Sequence, residues 1–411
     1  GQDGASNWST VYSAQINGNG TIGTWQTLTN LPAVRTFLKI AAARNYLFAI
    51  AGHNGTTQVS TVYSAPLKTD GTIGTWATLN TLPATRDIPG FAVFNNYLYV
   101  LGGRDLNSAS TSTVYSAAVN ADGTIGAWAA LNTLPAISAW AGFTATDGYI
   151  FMVGGYTSAA VSTVYSTPLQ TNAFATNTTS NITAGNLIDV INNGQSLATV
   201  DYSGRLGSAL GVTINNTSTT PTANITTSLT GLTPGSTGTY QTLSNLPVAR
   251  YAHAGAAYNG YLFITGGGTA ASSDALSTVF SAKIAADGTI GSWNSLTNLP
   301  VVNMEHASVI HNGYIYVLGG YDGISRVSTV YSAKINSDGT IGSWNTLNTL
   351  PAIVYWHSAT AYNNYVFIAG GINGGGSVEN DVFSAKINSD GTLGTWQTLT
   401  VLPVALYTLG L

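Results

Sequence analysis

The stretch "INSDGTIGSW", residues 335–344, decides how this chain folds, because near-copies of it stand at residues 16–25, 68–76, 120–128, 285–293 and 388–396. An Asp-Gly or Asn-Gly pair between strand-like segments supplies the positive φ angles of a tight hairpin turn, so one hairpin is written six times. Aligning on the neighbouring phrase "STVYSA" gives an aromatic at Tyr12, Tyr63, Tyr115, Tyr165, Phe280, Tyr331 and Phe383, in steps of 51, 52, 50, 115, 51 and 52 residues. A second aromatic follows 13 residues later at Trp25, Trp76, Trp128, Trp293, Trp344 and Trp396. At Tyr240 it follows 75 residues later, an insertion of 62. A period near 50 built from short alternating strands and Gly or Asn turns indicates a propeller of four-stranded blades.

One unit can be read strand by strand. Residues 306–310 and 314–318 flank Asn312-Gly313 and form strands one and two. Gly319-Gly320 ends strand two, a loop follows, and residues 328–335 and 342–347 form strands three and four around Asp338-Gly339.

Trp293, Leu296, Leu299-Pro300, His306, Asn312-Gly313, Tyr316 and Gly319-Gly320 resemble the signature of the Kelch-repeat family. The resemblance covers the chain outside the insertion. It implies an all-β fold: a seven-bladed Kelch-like β-propeller of four-stranded antiparallel blades, with one inserted β-rich segment. Residues 1–171 are its first part, 172–236 an insertion in a hairpin between strands three and four, and 237–411 its second part, closing with the N-terminus. Two departures stand out. The hairpin between strands three and four is longer than in the family pattern, and the family's Arg after Leu-Pro survives only at Arg35, Arg86 and Arg250. Galactose oxidase shares this architecture, but its Cys-Tyr cofactor cannot form in a chain without Cys.

The first and last residues are expected to share one blade. Gly1 aligns with Gly320, so residues 1–27 supply strands three and four of the seventh unit, and strand one is just beginning after Pro403. Its remaining strands are expected from sequence outside this stretch or from a neighbour. The chain opens on Gly1 and reads as a mature or excised piece.

Charged residues are only 7% of the chain, the net charge is -4 and no basic run occurs, which argues against nucleic acid and anionic lipid as partners. No apolar run of about 18 residues predicts a membrane span. Absence of Cys excludes disulfides, zinc-thiolate sites and thiol nucleophiles.

Three motifs invite a chemical reading. The turn resembles an Asp-box, but Asp338 and Trp344 are six apart rather than five. As a calcium loop it would need oxygen ligands at its ends, where Lys334 and Asn345 stand. The plain hairpin accounts for it. His253, His306 and His357 each fall six residues after Pro and should ring one level of the axis, but the Kelch pattern itself carries His there, so a structural role is expected and no metal or other cofactor is assigned.

The third reading concerns where the repeats diverge. After each Leu-Pro, and in the loops after Gly-Gly, the units cease to match. In an antiparallel four-stranded blade both connections emerge on one face, with the "DGTIG" turns on the other. The divergent face gathers the candidate ligand-binding residues Arg35, Phe37, Arg86, Asp87, Trp140, Arg250, Tyr251, Glu305, Tyr355, Trp356 and Tyr407. Flat rings would stack on sugar faces and the arginines would donate hydrogen bonds. The expected function is a non-enzymatic secreted or cell-surface protein adhering to a glycan or another surface polymer. Asn-x-Ser/Thr sequons, such as Asn177, Asn181 and Asn224, favour export. The alternatives are a subunit of an extracellular filament, self-associating through the insertion or an open blade, and a glycan-active enzyme using Asp87 and Glu305.

Overall fold

A computed structural model describes residues 7–136, 141–146, 148–157, 159–169, 186–192, 195–201, 206–208, 235–269 and 274–405. The chain forms two compact units, residues 1–168 with 239–411, and residues 169–238.

In the first unit six four-stranded antiparallel sheets follow one another. Blades one to six begin with the strands Lys39–Ala43, Gly90–Phe94, Gly142–Thr146, Ala254–Tyr258, Ala307–His311 and Ser358–Tyr362. Blade five continues through Tyr314–Leu318, Val330–Lys334 and Asn345–Thr346. Its middle strands are buried at Ile315, Tyr316, Val317 and Leu318, and at Val330, Tyr331, Ser332 and Ala333. Both faces of these strands are covered, because each blade lies between two others, and this is why their apolar runs are continuous rather than alternating. The fourth strand is shorter than the sequence predicts. After the bridge between Ile335 and Ile341 the chain leaves the ladder, and Trp344 turns to donate its indole N–H to the Thr297 carbonyl at 2.9 Å, in the preceding blade.

The recurrent turn has a local cause. One Asp338 carboxylate oxygen accepts the Thr340 amide at 3.0 Å and the Thr340 hydroxyl at 2.6 Å, while Gly339 takes φ +78°. The same pair of bonds recurs at Asp70, Asp122, Asp287, Asp390 and Asn19. These hydrogen bonds, the one from the threonine hydroxyl foremost, hold the Asp338 carboxyl below its ordinary range. Gly339 is also needed for space, since a Cβ there would fall 2.2 Å from the Tyr261 ring of blade four.

The blade count corrects the sequence reading. Seven blades were expected, the seventh with only strands three and four in this stretch, and the described residues form six. The seventh unit is the two-stranded pair Tyr12–Ser13 with Gln26–Thr27, which matches strands three and four; no first and second strands accompany it among the described residues. Trp25 donates to the Thr400 carbonyl at 2.9 Å, and Trp76 of blade one donates to the Thr29 carbonyl at 2.8 Å, so this pair stands between blades six and one.

These indole latches lead to a graded expectation. Trp76 is 8% exposed, and Trp76→Ala should cost about 3–5 kcal/mol. Trp344 is half-buried, so Trp344→Ala should cost about 1–3 kcal/mol, from partial burial and one lost hydrogen bond. Denaturant titration of both variants checks the order.

The second unit contains three antiparallel strands, Asn186–Asn192, Gln195–Asp201 and Leu206–Ser208. A bridge between Leu169 and Thr237 closes its base, as bridges such as Val119 to Ile125 close the short turns elsewhere. Among the described residues no helix is long and apolar enough to cross a membrane.

Candidate functional site

The connection entering each blade is pinned before it reaches the axis. The fourth residue after the Leu-Pro proline pairs with the loop after strand two of the same blade: Thr36 with His53, Asp87 with Arg104, Tyr251 with Gly268, and Met304 with Tyr321. The two divergent connections therefore lie side by side. The fifth residue then turns left-handed, at Phe37 (φ 53°), Ile88 (48°), Ala252 (51°), Glu305 (58°) and Trp356 (51°). None is glycine, and a β-branched residue such as Ile88 rarely adopts this conformation. A course of backbone hydrogen bonds holds it. Ile88 N–H donates to the Phe37 carbonyl at 3.3 Å, Glu305 N–H to Ala252 at 3.0 Å, and Trp356 N–H to Glu305 at 3.3 Å, each from one blade to its predecessor. Strain of this kind, roughly 1–3 kcal/mol per residue, persists where the surroundings over-determine it, and it concentrates at functional sites.

All five residues line one cavity of about 840 Å³. Phe91, Phe143, Tyr156 and Tyr251 add rings to its wall, and Lys39 adds a cation. Tyr156 and Tyr251 meet edge to face at 5.6 Å. Burial raises the Glu305 carboxyl above its usual range, opposed by the Arg326 charge and by a hydrogen bond with the Trp356 side chain. Arg326 itself stacks 4.7 Å over Tyr355 and 5.6 Å over Tyr321.

Of the residues expected to bind ligand, Phe37, Tyr251, Glu305 and Trp356 come together in this cavity. Trp140 and Tyr407 lie outside the described residues. Tyr355 is buried outside the lining, its ring 5.7 Å from that of Trp356. Three expectations are corrected, because Arg35, Arg86 and Arg250 are buried inside their blades. Arg35 donates to the Tyr63 hydroxyl at 3.1 Å and to Thr61, and Arg86 donates to the Thr85 carbonyl at 2.6 Å and to Thr113. Arg250 donates to the Gly266 carbonyl at 2.7 Å and stacks 4.8 Å over Phe280. Third-position side chains point into the blade, and each of these guanidinium groups is engaged there by the threonine just before strand three. Asp87 is also corrected as a cavity residue: it is buried and held by both guanidinium contacts of Arg104, at 2.8 and 3.0 Å.

The sequence reading missed Lys39, Ile88, Phe91, Phe143 and Tyr156. A signal was present for two of them, since Phe91 and Phe143 occupy a strand-one position where Gly255, Ser308 and Ala359 are small.

Comparison with known proteins fits this geometry. A family model described as the Kelch motif matches residues 304–332. Kelch-like protein 38 from Mus musculus is 27% identical over 125 residues, which is 29% of this chain and 20% of that protein. Kelch-like protein 15 from Homo sapiens is 27% identical over 146 residues, 31% of this chain and 23% of that protein. The matches thus span about a fifth of the length of these relatives. The chain thus carries a Kelch motif on a β-propeller fold. A solved structure titled "Structure of YjhT" shares the fold with a TM-score of 0.52 at 12% identity, covering 90% of this chain and 99% of that one.

The Kelch histidines have a packing role in this propeller. His253, His306 and His357 lie over the first of the paired glycines in the preceding blade: a Cβ on Gly154, Gly266 or Gly319 would come within 3.0, 2.9 and 3.1 Å of the respective Cε1. The ring and the bare backbone fit only together. His306 Nε2 meets the Thr265 hydroxyl at 2.9 Å, while neither ring nitrogen of His253 or His357 has a protein partner among the described residues. Burial pushes His306 down to about 3 and His357 down to about 4. Among the described residues no three His, Asp or Glu side chains converge as a metal site would require.

Proposed function

We propose that this propeller is a non-catalytic binding protein working outside the cell, and that its central cavity takes a glycan or a comparable neutral surface polymer. One observation carries the reading. Repeats that are near-copies elsewhere present different side chains at one strained, backbone-fixed position: Phe37, Ile88, Ala252, Glu305 and Trp356. Fixing the main chain while varying the side chain is how a symmetric scaffold makes an asymmetric site. Rings supply apolar faces for sugar C–H surfaces, and the few polar groups supply direction. Glycoside hydrolysis in its common form uses two facing carboxyl groups. Glu305 is the one carboxylate among the described cavity-lining residues, which favours binding over cleavage.

A glycan array identifies ligands, and titration calorimetry on Trp356→Ala and Tyr251→Ala tests the site. Each variant should bind about tenfold more weakly, since a lost stacking ring together with the area it buries costs about 1.4 kcal/mol or more. Trp356 is 39% exposed, so its removal should cost no more than about 1–2 kcal/mol and leave unfolding cooperative. Unaltered affinity in both variants would place the ligand elsewhere. Turnover of a bound glycan that disappears in Glu305→Gln would replace binding with catalysis.

A further inference from the structure

The pair Tyr12–Ser13 and Gln26–Thr27 carries the repeat's own third-strand phrase, "STVYSA", at residues 9–14. In the six complete blades that strand is five residues long and buried over four, as in Val62–Pro66 and Val330–Lys334. In the pair it is two residues long and half-buried. Elsewhere its inner edge pairs with strand two along five residues, as Val330–Lys334 does with Tyr314–Leu318. Among the described residues the inner edge of Tyr12–Ser13 pairs with nothing; its partner is the outer strand Gln26–Thr27. An unpaired edge with apolar side chains is a template for strand addition.

Neighbouring blades point to the same occupant. The turn glycine of a blade lies against the tyrosine that opens strand two of the preceding blade: Gly123 on Tyr46, Gly288 on Tyr149, Gly339 on Tyr261, Gly391 on Tyr314 and Gly20 on Tyr365, each with an added Cβ only 2.1–2.2 Å from the ring. Gly71 of blade one has the same turn, with φ +78°, and the nearest atom to an added Cβ is the Ser13 hydroxyl at 4.0 Å. Leu67 beside it is 39% exposed, where its counterparts Val119, Ile335 and Ile387 are buried. Ile40, on strand one of blade one, is exposed as well. On the blade-six side Tyr362 is 58% exposed. Its counterpart Tyr258 places its hydroxyl 3.8 Å from a Cβ added to Gly313, in the strand-one to strand-two turn of the next blade.

We infer that this edge receives a β-hairpin of the repeat's own kind, a strand one and strand two joined by an Asn turn, whose tyrosine at the head of the second strand seats on Gly71. The occupant is specified by five internal examples. It must offer a free strand edge to Tyr12–Ser13, small residues toward Ile40, an Asn or Gly turn against Tyr362, and an aromatic ring over Gly71 and Leu67. A generic amphipathic helix satisfies none of these.

The test uses the 411-residue protein and a synthetic peptide of residues 357–371, "HSATAYNNYVFIAGG". The peptide should bind at one saturable site and raise the melting temperature. The same peptide with Tyr365→Ala should bind at least about tenfold more weakly, the loss of one seated ring. Register gives a second measurement, because the chain has no Cys. Phe367 pairs with Ser384 in blade six, so Ser13→Cys protein should oxidise onto peptide carrying Phe367→Cys much faster than onto peptide carrying Val366→Cys. Absence of both binding and register-specific cross-linking would overturn the inference. A concentration-dependent dimer that the peptide fails to dissociate would overturn it too, and would give the edge to a second copy of the chain.

Discussion

Between pH 6.5 and pH 4.5 the propeller should lose about 5 kcal/mol of folding stability through His306 and His357 alone. Both rings are buried against the paired glycines of the preceding blade, and burial holds them neutral down to about pH 3 and pH 4. The unfolded chain protonates them near pH 6.5, so over this window it binds between about one and two more protons than the native state, and stability rises with pH and falls with acid. Each histidine contributes about 1.4 kcal/mol per pH unit below 6.5 until its folded value is reached. His253, lowered to about 3 by burial and by the Arg250 charge, acts in the same direction. The turn carboxylates act later. Their folded values are depressed, so their contribution is lost only as pH falls below the ordinary carboxylate range. Urea titrations from pH 8 to pH 4 should show the loss, and His357→Gln should flatten the slope by about one proton. A stability that stays level from pH 7 to pH 5 would mean that the native state protonates these rings.

Arg250→Ala should destabilise the protein by about 3–5 kcal/mol. The side chain is fully buried and donates to the carbonyls of Gly266 and Thr278, at 2.7 and 3.3 Å, and to the Thr278 hydroxyl at 2.9 Å. Burial lowers it to about 10, so it remains a cation at neutral pH. Truncation takes the donor from the Gly266 carbonyl, leaves the Thr278 carbonyl with the Gly266 N–H alone, and opens a space over Phe280. Gly266 is also the residue on which His306 rests, so the guanidinium fixes the backbone that seats the next blade. Blade five does the same with a shorter residue, Asn303 donating to the Gly319 carbonyl at 2.8 Å. Arg250→Met refills the volume without the donors and should cost less, about 1–3 kcal/mol. Arg326→Ala, an exposed stacking cation, should change stability by less than about 1 kcal/mol. Equal stability of Arg250→Ala and wild type would show that the buried arginine is not a structural fastener.

The periodic features were open to a reading of the chain. A turn such as Asp338-Gly339-Thr340 is specified within three residues, by a carboxylate that accepts from the Thr amide and hydroxyl and by a glycine free to take φ +78°. Runs such as "YIYVL" at Tyr314–Leu318 are buried wherever blades are stacked, so strand placement and blade period follow from local pattern. The divergent face was legible as a set of positions but not as a site. Arg250 and Tyr251 are adjacent in the chain, yet one binds strand three and the other faces the cavity. Glu305 was found; Tyr156, which meets Tyr251 across blades, was not.

What the sequence by itself determined is therefore the repeat: its length, its hairpin, its four strands and the columns where copies differ. These depend on interactions a few residues apart. Tertiary structure alone decided which column faces the axis, because that follows from a left-handed residue held by hydrogen bonds between blades, such as Trp356 to Glu305 and Glu305 to Ala252. It alone decided how deeply each copy of the phrase "STVYSA" is buried, four residues in Val330–Lys334 and none fully in Tyr12–Ser13, since a strand's burial depends on the neighbour laid beside it and the phrase is the same with or without one.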